Sequence, residues 1–165
     1  MVEPTRALPQ NLTIRRATPS DARIIREITD LAYTRYVPLL GRKPQPMTAD
    51  HHALIVEHEG WLLVDGDRAI GVLELILEPD CTLIYSVAVL PEHQKQGVGR
   101  RLLELAERET ARTGRASIRL YTNALMEDNL RLYERLGYAE TGREPYLGST
   151  LVHMAKPIAN DPPSG

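Results

Sequence analysis

Leu83-Ile84-Tyr85-Ser86-Val87-Ala88-Val89-Leu90, closed by Pro91, and the segment Gln94-Lys95-Gln96-Gly97-Val98-Gly99-Arg100-Arg101 just beyond it decide the fold. The first run is apolar, partly β-branched, too short for a typical helix and stopped by proline, which predicts a buried strand. From Val98 onward Leu102, Leu105, Ala106 and Ala111 mark one face, while Glu104, Glu107, Arg108 and Arg112 take the other until Gly114. That pattern predicts an amphipathic helix. Two glycines and three cations therefore sit where a strand turns into a helix.

The first turn of a helix carries unpaired N–H groups and a partial positive charge. Lys95, Arg100 and Arg101 are thus mildly unfavourable there, by roughly 0.3–1 kcal/mol each, unless an anion binds. Glycine lets the backbone approach such a ligand closely, so the joint reads as a cradle for linked phosphates; the competing reading is a loop with solvated cations. A P-loop would need Gly-Lys-Ser/Thr, whereas Arg100 and Arg101 follow Gly99. A dinucleotide-binding fingerprint would need a third small residue, where this chain has Leu102.

V-A-V-L-P-E-H-Q-K-Q-G-V-G-R-R-L-L closely resembles the acyl-CoA-binding motif of the GNAT superfamily of N-acyltransferases, whose core Q/R-x-x-G-x-G/A falls on Gln94, Gly97 and Gly99. N-L-R-L-Y-E-R-L-G-Y, from Asn129 to Tyr138, is similar to the late helix of that family and the strand after it. In element order the resemblance runs from about Leu12 to Lys156, and it is sharp over Ser86–Leu103 and Tyr121–Tyr138. It implies an N-acetyltransferase that moves the acetyl group of acetyl-CoA to a primary amine by direct attack in a ternary complex.

The resemblance also implies site residues. Backbone groups of Val87, Ala88 and Val89 would hold the pantetheine arm, and those of Lys95, Gln96, Gly97, Val98, Gly99 and Arg100 the pyrophosphate. Tyr133 would protonate the leaving thiolate; its other reading is a core aromatic. Asn129 would bond the pantetheine amides, with Asn123 as second candidate, because many relatives carry the asparagine where this chain has Met126. Where relatives place a glutamate base, this chain has Tyr85, Ser86 and Tyr121. Glu74 is the candidate base, set against the reading that it faces solvent on an alternating strand; His52 is a further candidate. Tyr33, Tyr36, the Pro44-Gln45-Pro46-Met47 loop and Tyr146 are expected to shape the acceptor pocket. Without an acidic cluster they favour a small or uncharged amine over a polyamine. The rival reading is a non-catalytic acyl-CoA-binding or regulatory module.

A length of 165 residues suits one domain, and a net charge of −2 gives no sign of a nucleic-acid surface. No apolar run reaches membrane-span length, and the opening residues lack the apolar core of a signal peptide, so no membrane partner and a cytoplasmic location are expected. Cys81 is the single cysteine and is expected as a small buried residue; the five histidines show no metal-ligand spacing, so no metal is expected. Among similar proteins homodimers are frequent, which makes a homodimer an expectation that no surface in this sequence specifies.

Proline-rich ends predict flexible tails at 1–10 and 157–165 around one domain at 11–156. Within it, Asn11–Ala17 reads as a strand, and Thr18-Pro19-Ser20-Asp21 opens a helix that carries Ile25, Ile28, Leu31, Ala32 and Tyr36 and ends near Pro38. Gly41–Met47 reads as irregular. Trp61–Val64 and Ala69–Leu77 form a hairpin through Asp65-Gly66-Asp67. Ala116–Tyr121, Tyr138–Thr141 and Leu151–Ala155 are strands, with a helix carrying Leu125, Leu130, Tyr133 and Leu136 between the first two. The expected fold is α+β: a GNAT-type three-layer sandwich whose mixed, mostly antiparallel sheet of about seven strands splays after strand 4 and is flanked by about four helices.

Overall fold

In a computed structural model that describes residues 11–159, the alternating apolar runs become seven strands of one sheet, in the order β1-β2-β3-β4-β5-β7-β6. These are β1 (Leu12–Arg16), β2 (Glu59–Asp65), β3 (Arg68–Leu77), β4 (Cys81–Val89), β5 (Ser117–Asn123), β6 (Ala139–Tyr146) and β7 (Ser149–Pro157). Short turns join β2 to β3 to β4, so these pairs are antiparallel. Between β4 and β5 the chain crosses over through helix α5 (Val98–Arg112), which is why that pair alone is parallel.

The expected tail at 1–10, and residues 160–165 of the one expected at 157–165, lie outside the described residues. At the near edge of the second, β7 runs on through Pro157 opposite Ser117, and the Ile158 N–H bonds Ala116 O at 2.9 Å. Pairing thus continues past the expected boundary at 156.

Helices lie on both faces of the sheet. Gly71 and Glu74, three residues apart on β3, point to opposite sides. Gly71 lies under α5 so closely that a Cβ there would meet Leu102 Cδ1 at 3.0 Å; Glu74 meets His51, from helix α4 (His51–Glu57), on the other side. Leu102 and Ala106 of α5 and Ile25 and Ile28 of helix α1 (Ala22–Tyr33) are buried in one core. Burying a leucine of this kind stabilises by about 1.5–3 kcal/mol.

Among the described residues six α-helices form, where about four are expected. The stretch between β1 and β2 breaks into α1, α2 (Tyr36–Leu40), α3 (Gln45–Thr48) and α4. The expected single helix ending near Pro38 stops at Tyr33, and Pro38 enters the first turn of α2, where a missing N–H breaks no helical bond. Pro46 does the same in α3, so 41–47 is not wholly irregular. The last helix, α6 (Glu127–Arg135), starts after Leu125, which is exposed instead of lying on its apolar face. Cys81 is half-buried at the start of β4, less enclosed than expected.

Asp21 fixes the entry to α1. Its carboxylate accepts from Thr18 N–H at 2.8 Å and from both terminal nitrogens of Arg15 at 2.8 and 2.9 Å. The Arg15 guanidinium holds the carboxyl down at about 2. The folded value lies below the unfolded one near 3.9, so this contribution to stability is complete above about pH 4 and is lost as pH falls toward 2. Asp21→Ala should cost about 1–2 kcal/mol at neutral pH in denaturant melts, and the deficit should shrink in acid. An unchanged midpoint at pH 7 would show that the cap does not hold the helix.

Candidate active site

β4 and β5 pair only from Cys81↔Ser117 to Leu83↔Arg119; beyond that both strands continue without bonding each other. The register of β4 against β3 also slips, from Glu74↔Ser86 to Leu75↔Ile84, leaving Tyr85 as the extra residue of a bulge at the point of divergence. The gap opens into a cleft of about 1030 Å3, part of it open solvent, walled by β4, β5, α6, the loop before α3 and the β6–β7 turn.

Which peptide groups face this gap follows from strand alternation. Leu90 N–H bonds Ile70 O on β3 at 2.9 Å, so Leu90 and Ala88 are directed at β3. Val87 and Val89 are turned the other way: Val87 C=O accepts from Tyr33 OH at 3.1 Å and Val89 C=O from Gln94 Nε2 at 3.0 Å. Their N–H groups share that open side. The expectation that Ala88 offers its backbone to a ligand is therefore corrected; its peptide groups belong to the ladder.

At the mouth of the gap the turn Gln94–Gly97 delivers the chain into α5. Gly97, with φ +82°, and Lys95, with φ +62°, both adopt left-handed backbone. The first helical bond is Arg101 N–H to Gly97 O at 3.1 Å, and the N–H groups of Lys95 through Arg100 find no acceptor among the described residues. Gln94 is spent on Val89 and Gln96 on Glu92 O at 3.1 Å, so these side chains shape the turn. A Cβ at Gly99 would touch only Val89 Cγ2, at 3.9 Å. Protein packing therefore does not require glycine there.

The cleft itself is rich in phenols. Tyr133 lines it, packs edge-on against Tyr138 at 5.8 Å, and its hydroxyl finds no hydrogen-bond partner among the described residues. Burial pushes its phenol well above the ordinary value, and pushes those of Tyr33 and Tyr85 up to about 12. Asn129 lines the same wall, with no side-chain bond among the described residues. Asn123 lines the cleft too but is committed: its Nδ2 donates to Ser149 Oγ at 2.6 Å and its Oδ1 accepts from Leu125 N–H at 3.0 Å. It builds the turn into α6, which corrects its reading as a ligand-binding amide.

On the far side Tyr121 OH donates to Gln45 Oε1 at 3.0 Å, and Gln45 Nε2 donates to Tyr146 OH at 2.7 Å. Tyr33 and Tyr146, two residues expected at an acceptor pocket, line the cleft. Tyr36 stacks under Arg35 at 4.6 Å, and Met47 is buried; neither lines it. Gln45 belongs to the loop expected at the acceptor pocket and Tyr121 to a strand end where relatives place a glutamate; no local pattern links the two.

Glu74 is buried, 2% exposed, correcting the solvent-facing reading, and it does not line the cleft. Its carboxylate contacts His51 Nδ1 at 2.8 Å, while His51 Nε2 must carry hydrogen to bond Pro46 O at 2.9 Å. His52 is exposed. Among the described residues no carboxylate lines the cleft, no group of three or more metal-ligating side chains occurs, and no helix is long and apolar enough to cross a membrane.

Residues 25–138 match the acetyltransferase (GNAT) family, and the chain belongs to it. It is 34% identical over 97 residues to the ribosomal protein bS18-alanine N-acetyltransferase of Escherichia coli, a match spanning 55% of this chain and 64% of that protein. The crystal structure of the ribosomal-protein-S18-alanine N-acetyltransferase from Escherichia coli has the same fold, with TM-score 0.75 over 92% of this chain and 97% of that one at 22% identity. So does a GNAT family acetyltransferase from Elizabethkingia anophelis with acetyl-CoA bound, with TM-score 0.68 over 90% and 99% of the two chains at 18% identity.

Proposed function

We propose that this protein is an acyl-CoA-dependent N-acetyltransferase that transfers the acetyl group of acetyl-CoA to the primary amine of a small acceptor, by direct attack in a ternary complex. The observation that carries the reading is the meeting of a splayed β4–β5 gap with six N–H groups at the start of α5 that have no acceptor among the described residues.

The amides of Lys95–Arg100 would hold the pyrophosphate, with Lys95 and Arg100 adding charge. The gap-facing peptide groups of Val87 and Val89 would pair with the pantetheine arm as an added strand, and Asn129 would bond its amides. As the amine nitrogen bonds to the acyl carbon, the Val87 N–H would stabilise the oxyanion. The C–S bond then breaks, and the thiolate takes the Tyr133 proton, which solvent replaces. With no carboxylate lining the cleft, the amine loses its proton to water. The acting unit is the domain at 11–156 together with the end of β7, and a cytoplasmic setting with reduced Cys81 accompanies this reading.

The lack of a cleft carboxylate also fits a second reading, an acyl-CoA-binding module without turnover. Calorimetry with acetyl-CoA, ATP and NAD, followed by an amine screen, separates the possibilities. Micromolar binding of acetyl-CoA alone, with thiol release in the presence of an amine, is the expected result. Binding without thiol release would select the module, and no acetyl-CoA binding by folded protein would remove both.

A further inference from the structure

We propose that the amine accepted in this cleft carries an anionic group, a carboxylate or a phosphate, a few bonds from the reacting nitrogen. The inference rests on the acetyltransferase reading and names its substrate class. Apart from phenols, the ionisable groups lining the cleft are Arg42 and Lys43. Arg42 is half-buried, and everything that holds it is neutral. Its guanidinium donates to Leu147 C=O, to Tyr146 C=O at 3.2 Å and to Ser149 Oγ at 3.2 Å, and it lies 5.1 Å above the Tyr146 ring.

Several other arginines pair with acids, Arg119 with Glu78, Arg112 with Glu109, Arg131 with Asp128 and Arg143 with Glu140; Arg26 and Arg115 bond backbone carbonyls as Arg42 does, but neither lines the cleft. Arg42 and Lys43 enter no such pair among the described residues. A partly desolvated guanidinium held only by dipoles keeps its attraction for an anion, and a bound carboxylate or phosphate would supply the missing counter-charge. The α5 cradle does not account for these cations, since none of Gln94–Arg101 lines the cleft. The nearby acid Glu144 is already held by His153 at 3.0 Å and is not part of the lining. A diamine or other polycation would instead bring its second charge toward Arg42 and Lys43, with no acid there to receive it.

The test compares 4-aminobutyrate with 1,4-diaminobutane, which match in length and differ in the sign of the distal group, using thiol release under saturating acetyl-CoA. Glycine, β-alanine and O-phosphoethanolamine vary the spacing and separate carboxylate from phosphate. At least one anionic amine should exceed the diamine at least tenfold in kcat/KM. Lys43→Glu, an exposed position with no structural bond among the described residues, should cut that ratio at least fivefold while calorimetric affinity for acetyl-CoA stays within twofold. Arg42→Gln should raise KM for the anionic amine; because this residue also ties down the β6–β7 turn, Lys43→Glu carries the decision. Equal or faster transfer to the diamine, a ratio unmoved by Lys43→Glu, or acetyl-CoA bound with no anionic amine turned over would each overturn the inference. Loss of acetyl-CoA affinity in Lys43→Glu would place the cation on the cofactor side and overturn it too. No acetyl-CoA binding by the wild type would remove the parent reading and this one with it.

Discussion

The Gly99→Asp protein should fold at least as stably as the wild type and lose at least about a hundredfold in affinity for acetyl-CoA, about 2.7 kcal/mol. The two effects have opposite signs because they come from different partners. Within the protein a Cβ at Gly99 meets only Val89, at ordinary contact distance, and glycine in a helix is a poor helix former. A carboxylate in the first turn also favours the positive end of the helix by about 0.3–1 kcal/mol. For a pyrophosphate approaching the N–H groups of Lys95–Arg100, the same side chain fills the space and places a negative charge beside a negative ligand. Thermal melting and calorimetry on one preparation read both quantities. Retained affinity in a folded Gly99→Asp protein would mean that the diphosphate lies elsewhere.

Tyr133→Phe should lower kcat about 100- to 1000-fold while acetyl-CoA affinity and melting temperature hardly move. The hydroxyl has no hydrogen-bond partner among the described residues, so its removal leaves no broken bond in the fold. Its loss then reads out on thiolate protonation alone. Burial raises the phenol's folded pKa above its ordinary value, so it remains a proton donor at every pH below 10. The wild-type rate should accordingly rise with pH as the acceptor amine loses its proton, with no falling limb from this phenol before pH 10. Unchanged turnover in Tyr133→Phe would take Tyr133 out of the chemistry.

Much of this was legible without coordinates, for a physical reason. The cradle is made by consecutive backbone groups, and its signature is local: an apolar run, a proline, two glycines and a helix, all between Leu83 and Arg112. Glu74 shows where such reading fails. A carboxylate in an apolar run looks solvent-facing by alternation, but its partner His51 comes from a helix twenty-three residues earlier. Asn123 fails in a similar way, because the Ser149 that occupies its amide belongs to the β6–β7 hairpin, twenty-six residues further along the chain. For Ala88 the resemblance implies the same backbone role as for Val87 and Val89, and only the pairing with β3 shows that its peptide groups face the other way.

By itself the sequence determined the order of the strands, the crossover at α5 and the glycine-rich start of that helix, because each follows from hydrophobic period, turn chemistry and helix-start geometry; the break of 36–57 into α2, α3 and α4 it did not show. Tertiary structure alone decided the cleft. The bulge at Tyr85, the Tyr121–Gln45–Tyr146 wall and Arg42, held by neutral groups, bring together residues from four separate segments, and closeness between distant segments is a property of packing that no local pattern encodes.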